Sequence, residues 1–200
     1  MVERYARVEM SSKWTQEARY AAWLEVEKAA VKAWNKLGLI PDEDCEKIVK
    51  NASFSVERIE EIEAITKHDL IAFNTSVSES LGEESRWFHY GMTSSDAVDT
   101  GVALQMRDSL KIIIDDVKML MESIKKRALE HKFTLMVGRS HGIHGEPITF
   151  GLTLAVWYDE VARHLKNLEE TMDVIAVGQI SGAMGNFAHA PLELEEYAMA

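Results

Sequence analysis

The chain has 200 residues, 46% of them hydrophobic, and a formal net charge of −11 at pH 7. This length and composition suffice for a buried core in one or two domains. The acidic balance, without a basic stripe, argues against a nucleic-acid partner, and the lack of an 18-residue apolar run argues against a membrane partner. With a single cysteine, Cys45, and no apolar signal region at the start, we expect a soluble cytoplasmic protein without disulfides.

The first half of the chain is predicted to form four helices separated by short turns. The first helix is rich in Ala, Glu, Lys and Trp and is followed by Gly38, a common stop. The second begins at a proline, which suits the first turn of a helix. The predicted helices cover Thr15–Lys36, Pro41–Lys50 and two segments that begin near Ser55 and His68.

A much longer helix is predicted after a polar cluster bracketed by glycine, residues 89–96. Apolar residues recur at intervals of three and four over Asp96–His131. At 1.5 Å per residue this helix would be about 54 Å long, whereas a compact chain of this size has a radius of gyration of about 16 Å. Such a helix needs packing partners beyond its own chain.

A second polar cluster, residues 138–147, precedes another helix, whose apolar seam extends from Leu154 to Ile175. Two long helices with apolar seams suggest a bundle that other subunits complete. An ordinary helical hairpin within one chain is the alternative.

Three consecutive hydroxyl residues, Thr93, Ser94 and Ser95, lie directly before the long helix. Thr93-x-x-Asp96 fits a capping box, which explains one hydroxyl and the acid without any ligand. A helix N-terminus also offers unpaired N–H groups and a partial positive charge, which suit a carboxylate or phosphate. Two interpretations stay open: capping alone, or capping combined with anion binding.

Histidine is the most informative residue type in the second cluster. His141 lies between Ser140 and Gly142, and an imidazole titrates near neutral pH, so it suits proton transfer to a leaving atom. A structural histidine is the alternative. The His-x-x-His spacing with His144 contains a glycine and lacks cysteine support, so we predict no metal site.

Two further polar groups are candidates for ligand binding. In Lys67-His68-Asp69 the carboxylate either orients the imidazole or stabilises the first turn of the following helix. Arg4 beside Tyr5 combines a guanidinium with a phenol, which suits phosphate or carboxylate. The position of this pair near the terminus equally fits residues without a function.

Together these motifs resemble the adenylosuccinate lyases, a family of the fumarase/aspartase superfamily. The likeness covers essentially all 200 residues and is carried by Arg4-Tyr5, Lys67-His68-Asp69, residues 89–96 and residues 138–151. The resemblance implies an all-α fold, with a small N-terminal helical domain over 1–95 and the first part of a central long-helix domain over 96–200. It also implies a homotetramer whose sites are shared between subunits.

The resemblance further implies a carbon–nitrogen lyase of purine biosynthesis. Such an enzyme eliminates fumarate from adenylosuccinate to leave AMP, and cleaves the succinyl-carboxamide ribotide (SAICAR) in the same way. His141 would protonate the leaving nitrogen with the assistance of His68, and no metal or organic cofactor is implied. The implied substrate-binding residues are Arg4, Tyr5, Lys67, His68, Asp69, Thr93, Ser94 and Ser140. Another fumarate-releasing lyase and a non-catalytic helical assembly module are the alternatives.

The chain departs from the family pattern in three respects. Ser140 stands where threonine is common, which keeps the hydroxyl, and Gly145 replaces a usual alanine. The largest departure is length, because family members are much longer and their mobile loop with the catalytic base serine is missing from these residues. We therefore expect the chain to be an N-terminal fragment that has no lyase activity alone.

Overall fold

Helices dominate the chain, which confirms the all-α prediction. The computed structural model describes residues 3–200, and for Glu3 the backbone alone. Short 3₁₀ turns cover Glu3–Tyr5, Ser12–Trp14 and Glu83–Trp87. The remaining elements, in chain order, are α1 (Val8–Ser11), α2 (Gln16–Lys36), α3 (Asp42–Asn51), α4 (Val56–Thr66), α5 (Asp69–Ser78), α6 (Ser94–Glu130), β1 (Leu135–Ser140), β2 (Ile143–Thr149), α7 (Phe150–Ile175) and α8 (Leu192–Met199).

The predicted helix starts are confirmed by side chains that cap them. Thr15, Ser55 and His68 each accept the backbone N–H of the residue three positions later. These bonds satisfy N–H groups that have no partner within the helix. The long helix is also confirmed, since α6 has 37 residues and its ends lie within two residues of the predicted ones.

The polar cluster at 138–147 forms most of a β-hairpin, which the helical pattern does not predict. β1 and β2 pair antiparallel from Leu135 opposite Thr149 to Ser140 opposite Ile143, with an irregularity between Val137 and Arg139. Both strands are largely exposed on both faces. They therefore lack the alternation of apolar and polar residues by which a half-buried strand is predicted.

Backbone contacts divide the chain into two compact units. The first comprises Met1–Asp108 and Ala176–Ala200, and the second comprises Ser109–Ile175. The domain boundary between residues 95 and 96 divides the chain differently and stays a prediction. Within residues 3–200, none of the helices is both long and apolar enough to cross a bilayer.

An aromatic core holds the first unit together. Tyr20 and Trp23 of α2 pack against Phe73 of α5, with ring centroids 5.8 and 5.5 Å from Phe73. All three are almost fully buried, and burial of such a side chain contributes about 1.5–3 kcal/mol. Gly101 lets α6 approach this core, because a Cβ there would lie 2.7 Å from Cδ1 of Trp23.

In the second unit, α7 begins directly against the end of α6. The Gly151 N–H donates to the His131 carbonyl at 3.0 Å, and a Cβ on Gly151 would lie 2.5 Å from the Ala128 carbonyl oxygen. Lys118 and Glu169 form an ion pair of 3.1 Å between the two helices. The chain therefore forms a helical hairpin here, yet Trp157 of the apolar seam remains 52% exposed. A bundle completed by other subunits stays a prediction.

Candidate functional site

His141 lies at the tip of the hairpin. It and Gly142 are the two central residues of the turn, with φ of 55° and 77°. Two consecutive positive φ values are typical of a type I′ turn, whose twist matches that of the flanking strands. The Arg139 guanidinium donates across the turn to the Gly142 carbonyl at 3.4 Å. Ser140 and His141 are exposed, so the turn presents a hydroxyl and an imidazole at the end of an arm.

The hydroxyl residues Thr93 and Ser94 lie at the first turn of α6 and are half-buried. The Thr93 N–H donates to Oδ2 of Asp96 at 2.9 Å, which is the carboxylate half of the predicted capping box. The Asp96 N–H donates to the carbonyl oxygen of Thr93 rather than to its hydroxyl, at 3.1 Å. These contacts leave the Thr93 and Ser94 hydroxyls available to a ligand.

Asp96 also contacts a distant part of the chain. Its fully buried carboxylate accepts the N–H groups of Ser181 and Gly182, both at 3.1 Å. One turn further along α6, Thr100 exchanges two hydrogen bonds with the backbone of Gln179. These bonds tie the segment after α7 to the start of α6.

His89, in the first polar cluster, forms a buried pair that sequence analysis missed. Its Nδ1 lies 2.6 Å from Oε1 of Glu27, a residue without solvent exposure. Burial opposes a charge on His89, but the carboxylates of Glu27 and Asp96 outweigh it and raise the pKa of His89 above its ordinary value. The sequence does contain a signal for a buried acid. Glu27 lies four residues from both Trp23 and Val31, which places it on the apolar face of α2.

His68 and Asp69 contact each other at the start of α5. His68 Nδ1 accepts the Ile71 N–H at 3.4 Å and lies 3.5 Å from Asp69 Oδ1. Asp69 also accepts the Leu70 N–H at 2.7 Å, so the carboxylate stabilises the first turn of α5, and its use in orienting His68 stays a prediction. A ring nitrogen that accepts a hydrogen bond carries no proton. Nδ1 is therefore occupied as an acceptor, and Lys67 precedes His68 in a left-handed conformation with φ of 54°.

Arg4 and Tyr5 form a stacked pair on a 3₁₀ turn. The guanidinium carbon lies 4.7 Å from the centre of the Tyr5 ring, and Tyr5 is 77% exposed. Stacking fixes the plane of the guanidinium and leaves its N–H groups at the edge, which suits an oxyanion.

The predicted site residues fall into both compact units. Ser140 and His141 belong to the second unit, and the others to the first. Within the described part of the first unit, no hydrogen bond or ion pair joins the Arg4-Tyr5, Lys67-His68-Asp69 and Thr93-Ser94 groups to one another. Over residues 3–200, no three His, Cys, Asp or Glu side chains lie together as a metal site would require.

Comparison with known proteins identifies the family of the chain. Residues 4–200 match a protein family described as lyase. The chain belongs to this lyase family. This confirms the resemblance inferred from the motifs.

Curated relatives of this lyase-family chain include two bacterial adenylosuccinate lyases. The Helicobacter pylori enzyme is 66% identical over 198 residues, which is 99% of this chain and 45% of that enzyme. The Bacillus subtilis enzyme is 49% identical over 197 residues, 98% of this chain and 46% of that enzyme. The chain thus spans less than half the length of these relatives.

Solved structures of similar fold include two further enzymes. A fumarate lyase from a Mesorhizobium species has a TM-score of 0.89 and 28% identity, over 96% of this chain and 47% of that one. A 3-carboxy-cis,cis-muconate lactonizing enzyme from Pseudomonas putida has a TM-score of 0.84 and 26% identity, over 97% of this chain and 47% of that one. The helical architecture is therefore shared well beyond the adenylosuccinate lyases.

Proposed function

We propose that the full-length protein is an adenylosuccinate lyase, which releases fumarate from adenylosuccinate to give AMP and cleaves SAICAR in the same way. The observation that carries this proposal is the 66% identity to the Helicobacter pylori adenylosuccinate lyase over 99% of the chain. This identity is far above the 26–28% identity to the two solved structures of similar fold, which are enzymes of other names.

The proposed reaction is a β-elimination. A base removes a proton from the succinyl carbon next to the one that carries nitrogen, and the electron pair left behind forms the double bond of fumarate. The carbon–nitrogen bond breaks, and His141 gives a proton to the leaving nitrogen. An exposed imidazole at the end of a short hairpin can reach a substrate bound elsewhere. The base lies outside these 200 residues, as the resemblance implies.

The remaining residues are proposed to hold the substrate. Thr93 and Ser94 donate hydroxyl hydrogen bonds to a succinyl carboxylate, and the exposed guanidinium of Arg4, with Tyr5, takes the phosphate. Further contacts are assigned to the remaining site residues: Lys67, His68, Asp69 and Ser140. One hydrogen bond to the His68 ring supports its assisting role, because the Ile71 N–H occupies Nδ1 and leaves Nε2 to face the substrate.

We infer that the active enzyme is a cytoplasmic homotetramer with shared sites. His141 stands on an arm whose strands are exposed on both faces, and large apolar side chains near the arm, such as Phe133 at 83% exposure, lack cover. Such a surface is typical of a subunit interface. Cys45 is the single cysteine of these 200 residues and its thiol is buried and free, which fits a reducing compartment.

The test uses the full-length protein with adenylosuccinate, SAICAR and argininosuccinate supplied separately. We expect fumarate release from the first two substrates and none from argininosuccinate. His141→Ala should lower kcat by about 10²–10⁴-fold, the range for loss of a general acid or base, and the Tm of the variant is measured alongside to show that it folds. Cleavage of argininosuccinate would support another lyase of the superfamily. Normal turnover of His141→Ala together with lost assembly would support the non-catalytic module.

A further inference from the structure

Asp96 makes more hydrogen bonds than helix capping requires. Its carboxylate is fully buried and accepts three backbone N–H groups. Oδ2 accepts from Thr93 at 2.9 Å and from Gly182 at 3.1 Å, and Oδ1 accepts from Ser181 at 3.1 Å. Capping accounts for the first bond alone. The other two join the start of α6 to residues 85 and 86 positions later.

We propose that Asp96 is a positioning residue for the carboxylate of the substrate: it fixes the backbone of Thr93 and Ser94 against Ser181 and Gly182, so that both hydroxyls face the ligand. The inference rests on the proposed function, in which these hydroxyls bind the succinyl group. Because Oδ2 is shared between Thr93 and Gly182, displacement of either segment disturbs the bond to the other. A buried N–H without an acceptor is costly, so the two segments hold one arrangement.

The charge of Asp96 determines which groups are left for the ligand. A carboxylate at a helix N-terminus offsets the partial positive charge there, and Asp96 already occupies the Thr93 N–H. A ligand carboxylate placed beside Asp96 would meet a like charge. The hydroxyls of the half-buried Thr93 and Ser94 can instead point away from the buried Asp96. In this proposal the ligand and the fixed carboxylate are assigned to opposite sides of the same turn.

The test compares Asp96→Asn with Thr100→Val in the full-length enzyme. Asparagine keeps the size of the side chain but replaces one acceptor oxygen by an NH₂ group, so at least one of the three N–H groups, of Thr93, Ser181 or Gly182, loses its acceptor and the link between the segments is weakened. Thr100→Val keeps the shape and removes two hydrogen bonds to Gln179 of the same returning segment. It leaves the Asp96 bonds intact, so it is a matched control for the loss of packing stability.

For Asp96→Asn we expect the Kd of fumarate, measured by calorimetry, and the KM for adenylosuccinate to rise about tenfold or more. This is the loss typical of misaligned hydrogen bonds to a carboxylate. For Thr100→Val we expect both constants within about twofold of wild type despite a lower Tm. Equal changes in the two variants, or unchanged fumarate affinity in Asp96→Asn, would overturn the proposal.

A folding failure of the variant is also informative. Asp96→Glu keeps the charge but displaces the carboxylate, and we expect it to fold with intermediate fumarate affinity. If neither Asp96 variant folds while Thr100→Val does, Asp96 is a folding residue and its positioning role is refuted. Wild-type enzyme that releases no fumarate from adenylosuccinate would refute the proposed function itself, which is a separate outcome.

Discussion

Glu27 is a fully buried acid whose nearest partner is a histidine. One carboxylate oxygen contacts His89, and the other, Oε2, has no hydrogen-bond partner. Removal of one member of a buried ion pair costs about 3–5 kcal/mol, because a charge remains without compensation. The pair therefore stabilises the fold most when His89 is protonated.

This pair predicts a pH dependence of stability. The pKa of His89 is raised in the folded state, so its contribution is complete below about pH 6.5, the ordinary histidine value, and is lost as pH rises through the raised pKa. In urea unfolding of the full-length protein, the stability difference between wild type and His89→Gln should be larger at pH 6 than at pH 9. Glu27→Gln, the matched variant, removes the carboxylate that raises the pKa of His89. In this variant, the stability that His89 contributes should be the same at pH 6 and at pH 9. An equal loss at both pH values would contradict the assignment.

At this scale the sequence predicts local contacts and misses distant ones. Thr93 and Asp96 are three positions apart, so a capping pattern identifies their contact. Glu27 and His89 are 62 positions apart, and Asp96 and Ser181 are 85 apart. No periodicity or motif records which distant backbone a buried carboxylate will meet, because that choice is made by tertiary packing.

Among the elements, the junction between α6 and α7 is the most sensitive to side-chain size. A Cβ on Gly151 would lie 2.5 Å from the Ala128 carbonyl oxygen and 2.8 Å from that of His131. Both atoms belong to the backbone and cannot rotate away. The close approach of the two helices therefore requires glycine here.

We expect Gly151→Ala to destabilise the protein by at least about 2 kcal/mol, within the range for overpacking. Gly145→Ala is the control, because a Cβ there would lie 3.7 Å from the nearest atom, the Gly138 carbonyl oxygen. That variant should be neutral or slightly stabilising, since alanine restricts the unfolded chain. Chemical denaturation of both variants measures the difference, and similar stabilities would show that the junction tolerates a methyl group.

The predicted elements succeed and fail for identifiable reasons. α2, α4 and α5 carry capping residues at their starts, and caps are readable in sequence. The hairpin carries His141-Gly142 in its turn rather than the Asn-Gly or Asp-Gly that marks such turns. The short helix α8 begins after Pro191 and was not predicted, although its Leu194 is fully buried.

At the scale of the whole molecule, the second unit leaves apolar surface uncovered. A groove between α6 and α7 is lined by Leu120, Ile124, Leu154, Trp157 and Val161. The opposite side of α7 carries intrahelical ion pairs, including Lys166 with Glu170. This contrast between the two faces of α7 fits the proposed subunit assembly.

We expect Trp157→Glu to shift the full-length protein from the proposed tetramer to smaller species, because it places a charge in an apolar contact. Lys166→Glu is the control on the solvated face and should leave assembly unchanged. Analytical ultracentrifugation at several protein concentrations distinguishes the two results. An intact tetramer in Trp157→Glu would show that subunits meet through another surface.

The first unit is discontinuous, since Ala176–Ala200 packs with residues up to 108, and Ile180 and Leu194 are fully buried in its core. A ribosome that adds about 5–20 residues per second must therefore finish the intervening stretch before that core can close. During these seconds the nascent chain exposes the parts of α2 and α6 that Ala176–Ala200 later covers, a form that chaperones recognise. Synthesis speed across this stretch should thus influence how much newly made protein escapes aggregation.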